Sequence, residues 1–304
     1  MSPVPAISVV LPTHNGSRYL DQAVASMVGQ TCRDWELVLV DDASTDDTPA
    51  RVDAWSARDA RIQAVHLSDN RRLPGALNEG FRRTRGELLS WTSDDNWYHP
   101  DALARMRERL AARPEVDVVY AAATKVDPAG TPLRVEPASP PEALAEYNCV
   151  GACFLYRRRV HEALDGYDES LFLAEDYDFW LRAYLRFRLE PLDQPLYYYR
   201  EHAGSLTALR RREISLAAEE AVRRFLQQGK SLSRRTRGRA LEATGLRALQ
   251  RGNVWTGRRF LLQAMLLSGR LPRFRGCRSY AFDFFFGRAV GNALRKQWAV
   301  GGGQ

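Results

Sequence analysis

Cysteines and long apolar runs are both scarce in this 304-residue chain. The four cysteines include one C-x₃-C pair, Cys149 and Cys153, but no second Cys/His pair completes a zinc site, and a reducing cytosol is expected. The longest apolar run, residues 260–267, falls far short of the ~18–20 residues of a membrane-spanning helix. The first residues show no basic region followed by an apolar stretch, so no signal peptide is predicted.

The glycine-rich phosphate loops are also missing. Neither G-x-G-x-x-G nor G-x-x-x-x-G-K-[ST] occurs, and the loop after the first predicted strand offers only Gly16. The dinucleotide and P-loop modes of phosphate binding are therefore excluded. A phosphate group would instead need a metal ion and cations such as Arg71 or Arg72.

Charge is distributed unevenly between two parts of the sequence. Residues 1–207 hold 23 Lys and Arg against 32 Asp and Glu, a balance of −9, whereas residues 208–304 hold 21 against 5, a balance of +16. This asymmetry predicts a mildly acidic domain over residues 1–207 and a basic helical region over residues 208–304.

The basic region has more than one interpretation. One interpretation is a solvated helical surface. The other is contact with anionic lipid at the inner face of the membrane, which would make this cytoplasmic protein a peripheral membrane protein. The apolar cluster 280–286, flanked by Arg278 and Arg288, suits such an interface. Nucleic acid is not expected as a partner, because no recognised motif accompanies the charge.

Strand-like and helix-like segments alternate along the first half. Apolar strands are predicted at residues 7–11, 36–40, 62–67, 87–91, 116–121 and 151–156. Helices are predicted at residues 19–28, 48–57, 75–84, 101–111 and 175–187. This alternation predicts an α/β fold, with a mostly parallel, Rossmann-like sheet covered by helices on both faces. The proline-rich residues 126–150 are expected to form a loop or a crossing segment. Residues 245–253 and 258–267, followed by residues 269–272, are expected to form a tetratricopeptide-like helical hairpin.

Polar and acidic residues follow four consecutive predicted strands. The four clusters are residues 12–15, 41–46, 70–72 and 93–96. A single Asp after a strand usually caps the next helix, but four clusters on one sheet edge are hard to explain by capping alone. The adjacent carboxylates Asp94 and Asp95 suit a hard divalent cation and a nucleotide diphosphate.

Several segments together resemble family 2 inverting glycosyltransferases of the GT-A fold, in particular the spore-coat polysaccharide subgroup. The segments are residues 9–15, 37–46, 75–80 and 92–96, with residues 175–180 and 199–205 downstream. The resemblance covers about residues 5–207. It implies a GT-A-type catalytic domain that moves a sugar from a nucleoside-diphosphate sugar, UDP or dTDP favoured, to a hydroxyl acceptor such as a lipid-linked glycan. The product would belong to cell-surface polysaccharide or glycoconjugate synthesis.

The resemblance also implies roles for individual residues. Those implied in nucleotide binding are Pro12, Thr13, Asn15, Asp42, Arg72, Asn78, Ser93 and Asp94. Among them, Thr13 and Asn15 would line the base and ribose pocket, and Asp42 would accept a hydrogen bond from a pyrimidine N–H. Arg72, or alternatively Arg71, would approach the diphosphate.

The implied catalytic centre combines a base with a metal. Asp176 would be the base, while Asp95 and His202 would hold Mg²⁺ or Mn²⁺. A single displacement needs one carboxylate to take the acceptor proton and a Lewis acid to neutralise the leaving diphosphate. One departure is evident: Thr92 stands where the family commonly has the first Asp of Asp-x-Asp.

Two alternatives stay open at this stage. A sugar nucleotidyltransferase shares the fold class but would want a glycine-rich phosphate loop after the first strand. A catalytically silent nucleotide-sugar-binding or scaffold protein is kept open by Thr92, although Asp95 and Asp176 are retained.

Overall fold

The centre of the sheet is built from strands whose side chains are all buried. The computed structural model describes residues 4–268. Within it, β1 (Ile7–Thr13) and β2 (Trp35–Asp41) are buried at every position. Runs of Val, Leu and Ile with no exposed face are typical of parallel strands covered on both sides, which is the arrangement that the sequence predicts.

The remaining elements follow in chain order. The other strands are β3 (Ile62–His66), β4 (Leu88–Trp91), β5 (Trp97–Tyr98), β6 (Val118–Val126), β7 (Pro132–Glu136), β8 (Phe154–Arg157) and β9 (Leu189–Arg200). The first helices are α1 (Leu20–Val28), α2 (Thr48–Arg58), α3 (Arg72–Phe81), α4 (Ala102–Ala112), α5 (Arg158–Leu164) and α6 (Glu175–Tyr184). They are followed by α7 (Leu206–Leu209), α8 (Arg211–Gln228), α9 (Arg234–Gln250) and α10 (Val254–Ser268), and two 3₁₀ turns lie at Pro141–Ala145 and Glu169–Leu171.

The sheet has a parallel part and a mixed part. Its strand order is β3-β2-β1-β4-β8-β6-β9-β5, with β7 paired to β6. The strands β3, β2, β1 and β4 are parallel, whereas β8 runs antiparallel to both β4 and β6. The α/β prediction is confirmed, and the parallel part sets the carboxyl ends of β1, β2 and β4 at one edge.

The prediction of a loop over residues 126–150 is wrong in part. β7 pairs antiparallel with β6, and a 3₁₀ turn occupies Pro141–Ala145. Leu133 and Val135 alternate with polar residues in β7, but the pattern is only five residues long and lies among prolines, which argue against a strand. Every residue of β7 is exposed, and its pairing with β6 holds it in the sheet.

The chain divides into two compact units, Met1–Phe225 and Leu226–Gln304. In the second unit α9 and α10 form the helical hairpin that the sequence predicts. A Cβ on Gly245 would lie 2.8 Å from the Leu261 Cγ, so the glycine lets the two helices approach closely. The functional boundary placed after residue 207 stays a prediction.

Some expectations concern residues outside the described range. They include residues 269–272 and the apolar cluster 280–286 with Arg278 and Arg288. Within residues 4–268, no helix has the length and apolar character needed to cross a membrane.

Candidate active site

Three strand ends meet at one edge of the sheet. In the β1–β2 register Thr13 lies opposite Asp41. Just beyond β2, the backbone N–H of Asp42 donates to the Thr13 carbonyl at 2.8 Å, and just beyond β4 the Thr92 N–H donates to the Val10 carbonyl at 3.0 Å. The polar clusters after the first, second and fourth predicted strands therefore share one edge, as the parallel topology requires.

Asp94 is tied to the end of β1. Its Oδ2 accepts the Thr13 hydroxyl at 2.5 Å. Burial, together with the neighbouring charge of Asp95, raises the pKa of the Asp94 carboxyl to about 7. A Cβ at Gly16 would collide with this carboxylate and with the Thr13 hydroxyl, so only glycine fits there. Asp94 and the loop after β1 thus form one packed corner.

Asp95 lies beside His202, which the chain brings in from beyond β9. The Asp95 Oδ2 and the His202 Nε2 are 3.0 Å apart, and both side chains are largely buried. The other carboxylate oxygen, Oδ1, is buried and has no hydrogen-bond partner. The imidazole also contacts the Tyr19 ring edge-on, with centroids 5.3 Å apart. The structure therefore brings the two predicted metal ligands together and leaves one carboxylate oxygen of Asp95 without a hydrogen-bond donor.

These residues fit a cation that arrives with its substrate. Within residues 4–268, no three or more His, Cys, Asp or Glu side chains form a ready-made metal site. Mg²⁺ needs only one or two protein carboxylates when substrate phosphates supply further oxygens. The unpartnered Oδ1 of Asp95 is the kind of hard oxygen that such an ion takes.

Three of the predicted nucleotide residues lie in β1 or in the loops after β1 and β2. The Asp42 carboxyl is buried and accepts the backbone N–H of Arg71 at 2.7 Å; burial raises its pKa. Asn15 has a left-handed backbone, φ 55°, and its Oδ1 accepts the Thr45 N–H at 2.8 Å. Pro12 lies within β1, where it is buried and extends the strand toward Thr13.

The two arginines at the start of α3 are used differently. The Arg71 guanidinium lies 3.4 Å from the Glu79 carboxylate. The Arg72 guanidinium lies 5.2 Å from the centre of the Phe172 ring, and among the described residues no carboxylate lies within ion-pair distance of it. Arg72 is therefore the arginine of the two that is better placed to attract an anion, and its role at the diphosphate stays a prediction.

The side chains of Asn78 and Ser93 are both engaged in hydrogen bonds within the protein. The Asn78 amide donates to the Tyr167 carbonyl at 2.8 Å and accepts the Tyr167 N–H at 2.9 Å. The amide also donates to the Glu169 carboxylate at 3.1 Å, so both of its ends hold the chain before α6, and its role in nucleotide binding stays a prediction. The Ser93 hydroxyl accepts the Asn96 side-chain amide at 2.5 Å, which braces the turn after β4.

The proposed base lies in a buried acidic pair at the start of α6. The Asp176 Oδ2 accepts the Asn148 side-chain amide at 2.8 Å, and its Oδ1 accepts the Tyr177 N–H at 2.6 Å. Burial raises the pKa of Asp176, whereas burial and the charge of Asp176 raise that of Glu175 to about 8. Both pKa values are therefore raised by burial, and Asp176 is the carboxyl of the two that accepts a side-chain hydrogen bond.

Thr92, which stands where the family commonly has an Asp, is used in the structure to join two strands. The Thr92 hydroxyl is buried and lies 2.6 Å from the Tyr197 hydroxyl, which belongs to β9. This position is thus occupied by a neutral group that joins β4 to β9, and the acidic charge of the segment rests on Asp94 and Asp95.

Sequence reasoning missed three residues that support the site. Gly16 makes room for Asp94, Asn148 holds Asp176, and Arg200 contacts the Asp95 backbone. Arg200 stands in the same segment as His202 and was within reach of the sequence. Asn148 lies in the stretch interpreted as a loop, and no pattern linked it to α6.

Sequence comparison places this chain in a known family. The chain matches the model of Glycosyl transferase family 2 over residues 8–165, which is more than half of its length. It is also 30% identical over 224 residues to the O-antigen biosynthesis protein RfbC of Myxococcus xanthus. That match covers 72% of this chain and 18% of RfbC, so the chain corresponds to a small part of that relative.

Solved structures show the same fold. The S. aureus TarS 1–349 structure in complex with UDP-GlcNAc aligns with a TM-score of 0.72 and 17% identity, covering 96% of this chain and 92% of that one. The mannosyltransferase PcManGT from Pyrobaculum calidifontis, in complex with GDP-Man and Mn²⁺, aligns with a TM-score of 0.64 and 21% identity, covering 98% and 88%. These likenesses confirm the predicted GT-A-type α/β fold.

Proposed function

Since the chain belongs to glycosyl transferase family 2, we propose that it is a metal-dependent, inverting glycosyltransferase acting on a nucleoside-diphosphate sugar. The acceptor is a hydroxyl group, and the product belongs to cell-surface polysaccharide or glycoconjugate synthesis. The O-antigen role in the name of the relative RfbC supports this choice of product.

The observation that carries the proposal is the corner formed by Thr13, Asp94, Asp95 and His202. Two contacts close it, Thr13–Asp94 at 2.5 Å and Asp95–His202 at 3.0 Å. Two acidic side chains so close together repel each other, and a divalent cation is the charge that relieves this repulsion. Asp95 and His202 would hold Mg²⁺ or Mn²⁺, which would neutralise the negative charge of the departing diphosphate.

Asp176 supplies the base of the reaction. The acceptor oxygen attacks the anomeric carbon, the bond from that carbon to the diphosphate oxygen breaks, and the acceptor proton passes to the Asp176 carboxylate. One displacement inverts the anomeric configuration. Hydrogen bonds from Asn148 and from the Tyr177 backbone hold this carboxylate in place. Its raised pKa makes it a stronger proton acceptor than an ordinary Asp.

The donor is assigned by class. Asp42, Thr13 and Asn15 at the β1 and β2 ends would contact the base and ribose, with Arg72 toward the diphosphate. UDP- and dTDP-sugars are favoured, since Asp42 offers an acceptor to a pyrimidine N–H. TarS was solved with UDP-GlcNAc and PcManGT with GDP-Man, so a test must include both base types.

Thermal-shift screening with release of nucleoside diphosphate tests this function. In the presence of Mn²⁺, we expect at least one UDP-, dTDP- or GDP-sugar to raise the apparent Tm, because a ligand that binds only the folded state stabilises it. The same donor should release free nucleoside diphosphate, and EDTA should abolish both effects. Binding without release would favour the silent-binder alternative, and no stabilisation by any donor would contradict the proposal.

The second unit offers a surface for a membrane partner. Trp255 and Leu266 are each 81% exposed, and Leu262 lies on the same face of α10. Between residues 226 and 268 the chain has nine Lys and Arg and one acidic residue. An apolar helical face amid positive charge suits the headgroup region of an anionic membrane. We propose that α10 makes peripheral contact with the inner face of the membrane and that the acceptor is a lipid-linked glycan.

Vesicle flotation tests this contact. The full-length protein should float with vesicles containing anionic phosphatidylglycerol, bind pure phosphatidylcholine vesicles less, and dissociate as salt screens the charges. The double variant Trp255→Ser/Leu266→Ser should lose at least half of the binding, whereas Leu209→Ser, which removes another exposed leucine outside α10, should retain it. Absence of salt-sensitive binding, or equal binding by both variants, would remove α10 as a membrane surface.

A further inference from the structure

Arg200 is a buried arginine at the end of β9 that reaches three separate parts of the chain. Only 3% of the residue is exposed. Its guanidinium donates to the Asp95 carbonyl at 3.0 Å, to the Pro128 carbonyl at 2.6 Å and to the Gln22 side-chain oxygen at 2.6 Å. These acceptors belong to the acidic turn, to the turn after β6 and to α1.

Two aromatic rings complete the surroundings of this cation. The guanidinium carbon lies 4.3 Å from the centre of the Tyr19 ring and 4.8 Å from that of Trp97. Among the described residues, no carboxylate lies within ion-pair distance of Arg200. A buried charge held by carbonyls, an amide and rings loses solvation without gaining an ion pair, so simple stabilisation of the fold is a weak reason for it.

The contacts of Arg200 converge on the acidic turn from both sides. Its backbone N–H donates to the Asn96 side-chain oxygen at 2.7 Å, while its side chain holds the Asp95 carbonyl. His202 follows two residues later, and its imidazole meets both Asp95 and the Tyr19 ring. The backbone that carries Asp95 and the backbone that carries His202 are thus joined directly through one residue.

We infer that Arg200 is a positioning residue that holds the Asp95 carboxylate and the His202 imidazole in the relative orientation in which they bind a divalent cation. This inference rests on the metal role proposed for these two side chains. Arg200 itself touches neither the cation nor the substrate. Arginine donates from three nitrogens spread over a planar fork, whereas the three N–H donors of lysine share one nitrogen and cannot span the same three acceptors.

Arg182 provides a matched control. It too is a largely buried arginine that donates to two backbone carbonyls, those of Leu164 at 2.6 Å and Gly166 at 3.0 Å. It also pairs with Asp178 at 2.7 Å. Its contacts brace α5 and α6 and include neither Asp95 nor His202.

The test compares Arg200→Lys with Arg182→Lys in the full-length protein. The first readout is amide hydrogen exchange without ligand. Arg200→Lys should speed exchange at residues 95–97 and 202–205, and Arg182→Lys should leave these amides as in the wild type.

The second readout is the Mn²⁺ concentration that half-saturates stabilisation by UDP or GDP. It should rise about tenfold or more in Arg200→Lys and stay unchanged in Arg182→Lys, since loss of an outer support typically costs that much metal affinity.

The outcomes separate this inference from the proposed function. Equal exchange and equal Mn²⁺ dependence in the two variants would overturn the role of Arg200. A wild-type protein that shows no Mn²⁺-dependent nucleotide binding would overturn the proposed function and the metal part of the inference. Exchange at residues 95–97 and 202–205 would then still decide whether Arg200 holds the two segments together.

Discussion

Replacement of Asp176 with Asn is expected to lower the rate of sugar transfer by about 10³-fold and to leave nucleotide binding intact. The amide keeps the size of the carboxylate, and its single oxygen can still accept one of the two hydrogen bonds, from the Asn148 amide or from the Tyr177 N–H. It cannot take a proton from the acceptor hydroxyl. The measurement pairs a kcat from product formation with a Kd for the nucleotide in the presence of Mn²⁺.

Asp178→Asn is the matched control for that variant. Asp178 is a buried carboxylate on the same helix, but it pairs with Arg182 at 2.7 Å. Its loss should lower the free energy of unfolding and leave kcat per folded molecule close to that of the wild type. A loss of nucleotide affinity in Asp176→Asn as large as its loss of rate would argue against Asp176 as the base.

The pH profile of the wild type adds a signature of the same group. Burial raises the pKa of Asp176 above its ordinary value of 3.8, so its active, ionised form is lost on acidification at a higher pH than for an exposed Asp. Activity should therefore rise with pH through a limb above pH 3.8. Because the base is missing from Asp176→Asn, its residual activity should lack this limb.

The sequence predicts the parallel half of the sheet better than the mixed half. β1 and β2 are apolar and buried throughout, so their pattern is unambiguous. β9 contains Pro191 and Pro195, and its pairing with β6 shifts register near them. Proline removes a ladder donor and argues against a strand when only local pattern is considered. Tertiary pairing with β6 and β5 therefore decides that element.

The candidate site also contains residues that local pattern predicts and residues that only tertiary contacts define. That residues at or just beyond the ends of apolar strands, such as Thr13 and Asp94, lie together could be predicted, because parallel topology alone brings strand ends together. His202 was predicted from its motif, and the structure brings it to Asp95. The Asn78 amide contacts the Tyr167 backbone and the Glu169 carboxylate, and its role in nucleotide binding stays a prediction. The contacts of Asn148 with Asp176 and of Arg200 with Asp95 join distant segments, so no local pattern assigns these partners, although Arg200 itself lies in the same motif as His202.

Replacement of Asp95 with Asn is expected to weaken nucleotide binding, which Asp176→Asn leaves intact. The amide lacks the negative charge that a divalent cation requires, and it replaces one carboxylate oxygen with a hydrogen-bond donor. Mn²⁺-dependent nucleotide affinity should fall by more than the about 10–100-fold that loss of an outer support costs, and transfer should fall with it.

The measurement is the nucleotide Kd with Mn²⁺ and with EDTA in each variant. EDTA should weaken binding by the wild type but change that of Asp95→Asn little, because the variant has already lost the metal contribution. Asp101→Asn is the control, since it removes a carboxylate from the same stretch of chain that contacts Thr31 instead of the site. Asp95→Asn should lose binding, whereas Asp176→Asn should keep binding and lose rate. A variant at Asp95 with wild-type Mn²⁺ dependence would move the cation away from this corner, and the assignment of Asp95 and His202 as its ligands would fail with it.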